Sequence, residues 1–561
     1  MSVLHIKCGN ISKSLEITGE IPISKFLQKA GIPLDTRCSG NGTCGKCEVI
    51  VTKGSFLRDG KLFQAVEEKP LRAPSCKIFA GGDELDLTVP SSSCFDTGVR
   101  ICDEFMLPEH RFAPPSGTTT LGAAVDIGTT TVAIVLVDMK TGEVISRASA
   151  PNHQISVADD VTSRISAASG GLEMLKELQS LIIESTINPL LHELCRKARR
   201  KVSEIERMTV SGNTVMCHIF LGLSPETIGV LPFKPLMNFY PETSAKSLKL
   251  SMSESGTVDT IPSISGYLGG DAVVGIYISR IMKSAKSALF IDLGTNAETV
   301  LCDSGKLFGC AAAAGPAFEG SGILCGSRAV AGAIERIHFD SSLDFNISTI
   351  ENAPPSGICG SAIIDFLACG FRSGLINEMG RFNIELLKKK NRYYSFTTST
   401  NRITHSCLLM DKKNAACEYP LMITEADIES ALKAKAAVYA AIKTLLSSKG
   451  RRMEEISQLF LAGGFARYIN IENAVSIGML PECLIEKIVL LGNSSLGGAY
   501  LALTDSDARE SFDSIVGKPE TVSLNLIPDF ETNFIDALML PNFNKEEFPM
   551  TLKNLNARIL Q

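Results

Sequence analysis

No run of about 18 apolar residues occurs in this chain of 561 residues, so a membrane-spanning helix is not expected. The opening segment MSVLHIKCGN has no apolar signal-peptide core, and the expected location is the cytoplasm. Positive charge never gathers into a long block. The net charge is −6, and the short basic cluster Arg196, Lys197, Arg199, Arg200 and Lys201 reads as the solvated end of a helix. A nucleic-acid partner needs a basic face, so that class of function is excluded, and no membrane partner is expected. Two common nucleotide signatures are missing as well. The absence of G-x4-G-K-[ST] excludes a P-loop, and neither acidic turn described below supplies the G-x-G-x-x-G of a Rossmann site. What remains is an ordinary folded composition, 45% hydrophobic and 21% charged, long enough for roughly three or four domains.

The chain has 17 cysteines. Without a secretory signal they point to reduced thiols or metal ligands rather than to disulfides. A metal-like spacing appears near the start, after a predicted hairpin (residues 3–7 and 14–18) and a short helix from Ile23 to Ala30 closed by Gly31. Cys38, Cys44 and Cys47 are spaced C-x5-C-x2-C on a loop containing Gly40, Gly42 and Gly45, and Cys76 lies further on. Three thiolates on one glycine-rich loop with a distant fourth is the ligand logic of a 2Fe–2S cluster. The glycines let backbone N–H groups turn towards the sulfurs. A structural zinc site, the alternative, usually takes two tight pairs. The segment resembles the 2Fe–2S ferredoxins of the plant and adrenodoxin type, with Asp83 to Val89 as closing strand. Ala73-Pro74-Ser75-Cys76 departs from the tighter Leu-Ala-Cys of many relatives, which makes Cys76 the least certain ligand. Residues 91–119, rich in Ser and Pro, read as an extended linker, with a small ordered subdomain as the alternative. Cys94 and Cys102 within it read as ordinary thiols.

Beyond the linker an apolar strand, Leu121 to Val125, delivers Asp126 to the turn Asp126-Ile127-Gly128-Thr129-Thr130-Thr131, and a second strand follows. The pattern recurs where Ala288 to Ile291 runs into Asp292-Leu293-Gly294-Thr295-Asn296-Ala297-Glu298. Glycine allows close backbone approach to a phosphate, and threonine adds a hydroxyl and an N–H donor. The aspartate would be repelled by phosphate, so it acts through Mg²⁺ or water. One such turn is weak evidence, since hairpins are rich in Asp and Gly. Two turns, each ending a buried strand, carry more. A third feature, the strand Leu459 to Leu461 entering Ala462-Gly463-Gly464, suits the face of a nucleotide. It stands before a predicted helix and after one capped by Thr424 with Asp427 three residues on.

The three motifs together resemble the ASKHA superfamily of actin, sugar kinases and DnaK-type chaperones, in which two RNase H-like lobes close over ATP. Further segments narrow the resemblance: Asn152-His153-Gln154, Asp159 to Ile165, Ser211 to Met216, Ala314 to Gly320, Gly357 to Ser361 and Gly492 to Ser495. Joined to an amino-terminal ferredoxin, they look like the reductive activators of corrinoid proteins.

That resemblance implies an α/β multidomain chain with a β-grasp 2Fe–2S domain at 1–90, a linker at 91–119, a middle RNase H-like domain at 120–206 and an actin-like ASKHA ATPase domain at 207–561. It implies ATP-dependent one-electron reduction of an inactive Co(II) corrinoid to Co(I), for the corrinoid protein of a methyltransferase or O-demethylase system. An upstream low-potential electron donor and a homodimer are further expectations. Cys38, Cys44, Cys47 and Cys76 are expected to hold the cluster, and Asp126 and Asp292 to handle Mg²⁺ and water. Gly128, Thr129, Thr130, Gly294, Thr295 and Asn296 are expected at the phosphates, and Gly463 and Gly464 at the nucleotide's flank. Asp271 is either another acidic ligand or a loop cap, and Glu319 gates the site or touches the corrinoid partner. His153, His218, Met216 and Met410 read as core or cap residues. Rival readings are a nucleotide-gated chaperone-like reactivase, a small-molecule kinase, and an activator of radical dehydratases.

Overall fold

The computed structural model of the chain describes residues 2–8, 11–17, 19, 21–30, 32, 34, 47–90, 93, 104–107, 110, 112–114, 120–158, 160–320, 322–397, 403–417 and 419–559. Cys38, Cys44, Cys94 and Cys102 lie outside the described residues.

Alternating apolar residues in Glu48–Arg58 bury Val49 and Val51 on one face, as a half-buried strand requires. This strand lies in a mixed sheet with the predicted hairpin Ser2–Cys8 and Ile11–Ile17, and with Ile78–Thr88 between them. Ser2–Cys8 and Ile78–Thr88 run parallel, and the helix Ile23–Lys29 contributes Ile23, Phe26 and Leu27 to the small core beneath. A helix held in the grasp of a mixed sheet is the β-grasp fold expected of the first domain.

The remainder is built twice on one plan. Leu121–Ile127, Thr131–Asp138 and Val144–Pro151 form an antiparallel meander, and Ile205–Gly212 and Thr257–Thr260 add to its first strand in parallel. Ala288–Leu293, Asn296–Asp303 and Lys306–Ala313 repeat the meander, with Leu459–Ala462 and Ile488–Gly492 as the parallel strands. The first strand of each meander is almost wholly buried, which its near-continuous apolar sequence requires. These are the two RNase H-like lobes of an ASKHA body. The expected boundary between residues 206 and 207 falls inside Ile205–Gly212, which pairs with Leu121–Ile127, so a division there would split one sheet.

Between the lobes sits an apolar layer containing Val274, Ile276, Phe290, Leu496 and Leu503. The helix Ser494–Thr504 crosses it, and there Gly498 allows contact with Val274 and Gly122 allows contact with Leu503. Full burial of a side chain such as Phe290 contributes about 1.5–3 kcal/mol, so the layer ties the lobes together at their base and leaves the mouths of the two Asp-bearing strands on one side. The helix Glu425–Ser448 begins at Thr424, where the hydroxyl accepts from Asp427 N and the Asp427 side chain accepts from Thr424 N. Such a reciprocal cap is worth about 1 kcal/mol. The helix expected after the turn Ala462 to Ala466 starts only at Ile471, because Gly463 at φ +103° turns the chain through residues 463–469 first.

Residues 104–107 and 112–114 of the stretch 91–119 are extended but fastened to the body. Phe105 forms a bridge with Gly492, Met106 N donates to Leu491 O at 3.2 Å, and Asn493 N donates to Glu104 O at 3.1 Å. Ala113 is held in the same way, its N donating to Thr504 O and its O accepting from Ser506 N. The physical reason is local. Gly492 and Gly497 have no side chain to keep Phe105 away, so its ring packs on Gly497 and beside Tyr500. Among the described residues no helix is long and apolar enough to cross a membrane.

Candidate functional site

The strand ends bring the sequence motifs into one cleft. Its lining includes Asp126, Gly128, Thr129, Thr130, Asp271, Asp292, Gly294, Thr295, Asn296, Gly463 and Gly464, every residue expected at a nucleotide. The first turn is closed by Gly128 N donating to Thr131 O at 2.9 Å, and a Cβ at Gly128 would stand 2.6 Å from that oxygen. The second is closed by Gly294 N donating to Asn296 O. Gly463 comes so near the second turn that a Cβ would lie 2.3 Å from Leu293 O and 2.8 Å from Asp292 Oδ1, so only glycine fits.

A second layer of residues holds the first turn from behind. Arg164, fully buried, donates from Nη2 to Thr129 O at 2.6 Å, from Nη1 to Gln154 Oε1 at 3.0 Å and from Nε to Ala158 O at 3.0 Å. Asn152 Nδ2 donates to Gly128 O at 2.9 Å, and Asn213 Nδ2 donates to Thr129 Oγ1 at 3.1 Å. Asp126 accepts from Ser495 Oγ at 2.6 Å and Asn493 Nδ2 at 2.9 Å, both at the start of the helix between the lobes. The segments around Asn152, Arg164, Asn213 and Asn493 thus act by positioning the first turn, a role their sequence spacing did not disclose. Met216 and His218 are core, with His218 Nδ1 at 2.8 Å from Thr214 O.

Besides Glu319 and Glu335, four carboxyl groups line this cleft: Asp126, Asp271, Asp292 and Glu298. Burial pushes all of them up, and neighbouring acids add to the effect at the last three. Asp292 is raised to about 8, by burial first and then by Asp271 and Asp126. Asp271 is raised to about 6 although Ala272 N donates to it, so it sits in the first turn of its own helix and is also a member of the acidic group. Glu298 was not singled out from the sequence. It stands opposite Asp292 in the antiparallel register, and that pairing, readable only once the hairpin is folded, puts it in the cleft. Buried acids that repel one another fit a divalent cation, which would relieve both burial and repulsion.

Glu319 joins the two turns. Thr130 Oγ1 donates to Glu319 Oε2, and Thr295 Oγ1 donates to Glu319 Oε1 at 2.8 Å. Phe318 beside it stacks on Phe465 with ring centroids 5.4 Å apart, and the pair forms one wall of the cleft.

In the first domain, the described members of the cysteine set come together. Cys47 and Cys76 are buried, and their sulfurs are 3.2 Å apart. Ser75 N donates to Cys47 O at 2.9 Å, which fixes the Cys76 turn against the loop. The Ser75 hydroxyl is buried with no hydrogen-bond partner among the described residues. Two converging thiols and an orphaned donor suit a cluster whose sulfides accept hydrogen bonds.

Residues 11–81 match the family described as a 2Fe-2S iron-sulfur cluster binding domain, residues 121–284 the RACo middle region, and residues 286–552 the C-terminal domain of RACo, the ASKHA domain. The chain is 30% identical to the corrinoid activation enzyme RamQ of Eubacterium limosum over 94% of this chain and 97% of that protein. It is 25% identical to the [Co(II) methylated amine-specific corrinoid protein] reductase of Methanosarcina barkeri, covering 67% of this chain and 68% of that one. A solved reductive activator for corrinoid, iron-sulfur protein superposes with a TM-score of 0.72 at 29% identity, over 98% of this chain and 100% of that chain.

Proposed function

The chain belongs to the reductive activators of corrinoid proteins, and from that premise we propose how its residues divide the work. The reaction is ATP-dependent one-electron reduction of the inactive Co(II) corrinoid of a methyltransferase corrinoid protein to Co(I). One observation supports the division best: a buried thiol pair in a ferredoxin fold and a cleft uniting three nucleotide turns occur in the same chain.

Cys38, Cys44, Cys47 and Cys76 hold the 2Fe–2S cluster, which when bound supplies the single electron. Asp126, Asp271, Asp292 and Glu298 bind Mg²⁺ and its waters, with Asp292 and Asp126 orienting the water that attacks the terminal phosphate. Thr129, Thr130, Gly294, Thr295 and Asn296 grip the phosphates, while Gly463 and Gly464 make room for the nucleotide beside Phe465. Arg164, Asn152 and Asn213 keep the first turn in place. The electron would come from an upstream low-potential donor. The sheet running from Leu121 to Thr260 and the family match over residues 121–284 support a middle unit of 121–284 followed by the ATPase unit.

Asn493 links the two halves. Its backbone N–H is paired with Glu104 of the fastened segment, and its side chain reaches Asp126. The segment leading from the ferredoxin therefore lies one residue from the nucleotide cleft.

A truncated chain tests the division. Starting at Glu104 keeps the fastened segment. That protein is expected to fold, bind and hydrolyse ATP, and recognise the Co(II) partner, yet to form no Co(I). A chain starting at Thr120 strips the partners from Leu491 O and Asn493 N and uncovers Tyr500, so its melting temperature is expected to fall by roughly 4 °C or more. Co(I) formation at the full-length rate by the chain starting at Glu104 would show that the cluster is not the immediate donor.

A further inference from the structure

We infer that Glu319 stands in for a phosphate and must be displaced by the terminal phosphate of ATP, which makes it a determinant of triphosphate-versus-diphosphate preference; this rests on reading the cleft as the ATP site. The carboxylate accepts from one hydroxyl on each lobe, Thr130 on the first turn and Thr295 on the second. Those are the donors that phosphate oxygens require, and a carboxylate offers the same acceptor chemistry with one negative charge. Carboxylate and phosphate cannot both take the two hydroxyls. They also repel each other, so the nucleotide's last phosphate and Glu319 exclude each other from this position.

The backbone around Glu319 is suited to such a displacement. The short turn Pro316–Glu319 lies between Gly315 at φ +79° and Gly320 at φ +76°. Gly315 faces open space, with no atom within 4 Å of where a Cβ would be. Phe318, next to Glu319, is buried against Phe465, the residue after Gly463-Gly464. A shift of Glu319 is thereby passed through the stacked rings to the third nucleotide turn. ADP, lacking the terminal phosphate, can occupy the cleft with Glu319 still bridging Thr130 and Thr295. The carboxylate therefore selectively opposes the triphosphate, and its release reports which nucleotide is bound.

Calorimetric titration of the full-length protein with Mg·ATP and Mg·ADP tests this in the wild type, Glu319→Gln and Glu319→Ala. Charge-assisted hydrogen bonds are about twice as strong as neutral ones. Glu319→Gln is therefore expected to tighten ATP binding about tenfold and to leave ADP within about twofold, a change confined to the triphosphate. Glu319→Ala, which leaves no amide to bridge the threonines, is expected to show the same selectivity; an unchanged melting curve and cluster spectrum exclude a folding defect. Equal tightening of both nucleotides would overturn the inference, because Glu319 would then act only through its charge. Weaker ATP binding in the variants would also overturn it, since Glu319 would then help to hold the nucleotide. No binding of either nucleotide by the wild type would instead refute the reading of the cleft itself.

Discussion

Asp292→Ala is expected to lower Mg²⁺-dependent ATP hydrolysis roughly 10²–10⁴-fold, the range for a group that positions and deprotonates a reacting water. The variant should keep its cluster spectrum, because Asp292 lies in the ASKHA body and Cys47 and Cys76 lie in the ferredoxin core. It should also remain folded, since the group removed is one of four mutually repelling acids. Proton linkage gives the same account a second reading. The Asp292 carboxyl is raised to about 8, and Mg²⁺ binding needs the ionised form, so Mg²⁺ affinity in the wild type rises with pH until about 8 and then levels. Without metal the sign reverses. The folded state holds a proton that the unfolded state has lost, so this group's contribution to stability falls as pH climbs from the ordinary carboxylate range to about 8. Asp292→Asn should remove the part of both profiles that Asp292 contributes, leaving the parts set by Asp271 and Glu298. Turnover unchanged in Asp292→Ala would mean that the second turn is only a hairpin.

Cys76→Ala carries the other large effect. Cys76 is the ligand about which the sequence says least, because Ala-Pro-Ser precedes it instead of the usual tighter pattern. In the folded chain its sulfur lies 3.2 Å from that of Cys47, and the buried Ser75 hydroxyl next to it lacks a partner among the described residues. The expected result is loss of most iron, of the visible absorption and of the EPR signal after dithionite reduction. ATP hydrolysis should stay within about twofold of wild type, since sites well separated in a fold are nearly additive. Cluster binding contributes folding free energy to so small a domain, so the first domain should also melt earlier. Full iron content and an unaltered spectrum in this variant would remove Cys76 from the ligand set, and bound zinc without iron in the wild type would remove the cluster altogether.

How much of this could be read beforehand depended on the range of the interactions. The Asp-Gly-Thr turns are local: one strand, one glycine and one threonine suffice to mark them, and all of the residues expected there line the cleft. The cap at Thr424 is local in the same sense, and it forms as its sequence suggests. The hydrogen bonds of Arg164 and Asn213 to Thr129 span long stretches of chain, so their segments were visible as a family resemblance without a mechanical role. Ser- and Pro-rich composition marks residues 91–119 as a connector but carries no trace of Gly492 and Gly497, the distant glycines that let Phe105 dock. Pairing of Ile205–Gly212 with Leu121–Ile127 is parallel and non-local, which is why a boundary drawn from sequence fell inside a sheet. The sequence around Glu319 does not disclose what its carboxylate touches. Its bridge between Thr130 and Thr295 exists only because the two lobes face each other.

The chain uses ATP to deliver an electron to cobalt. For a one-electron couple about 59 mV is a factor of ten, so an unfavourable gap of about 200 mV costs roughly 4–5 kcal/mol, within reach of nucleotide-driven differences in binding between two lobe arrangements. The direct measurement is the absorption of a Co(II) corrinoid protein mixed anaerobically with the reduced full-length chain, followed with Mg·ATP, with Mg·ADP and without nucleotide. Conversion to the Co(I) spectrum is expected with ATP alone, in step with phosphate release. Co(I) appearing equally fast without nucleotide, or ATP hydrolysed in the presence of the partner while the cobalt stays Co(II), would contradict it.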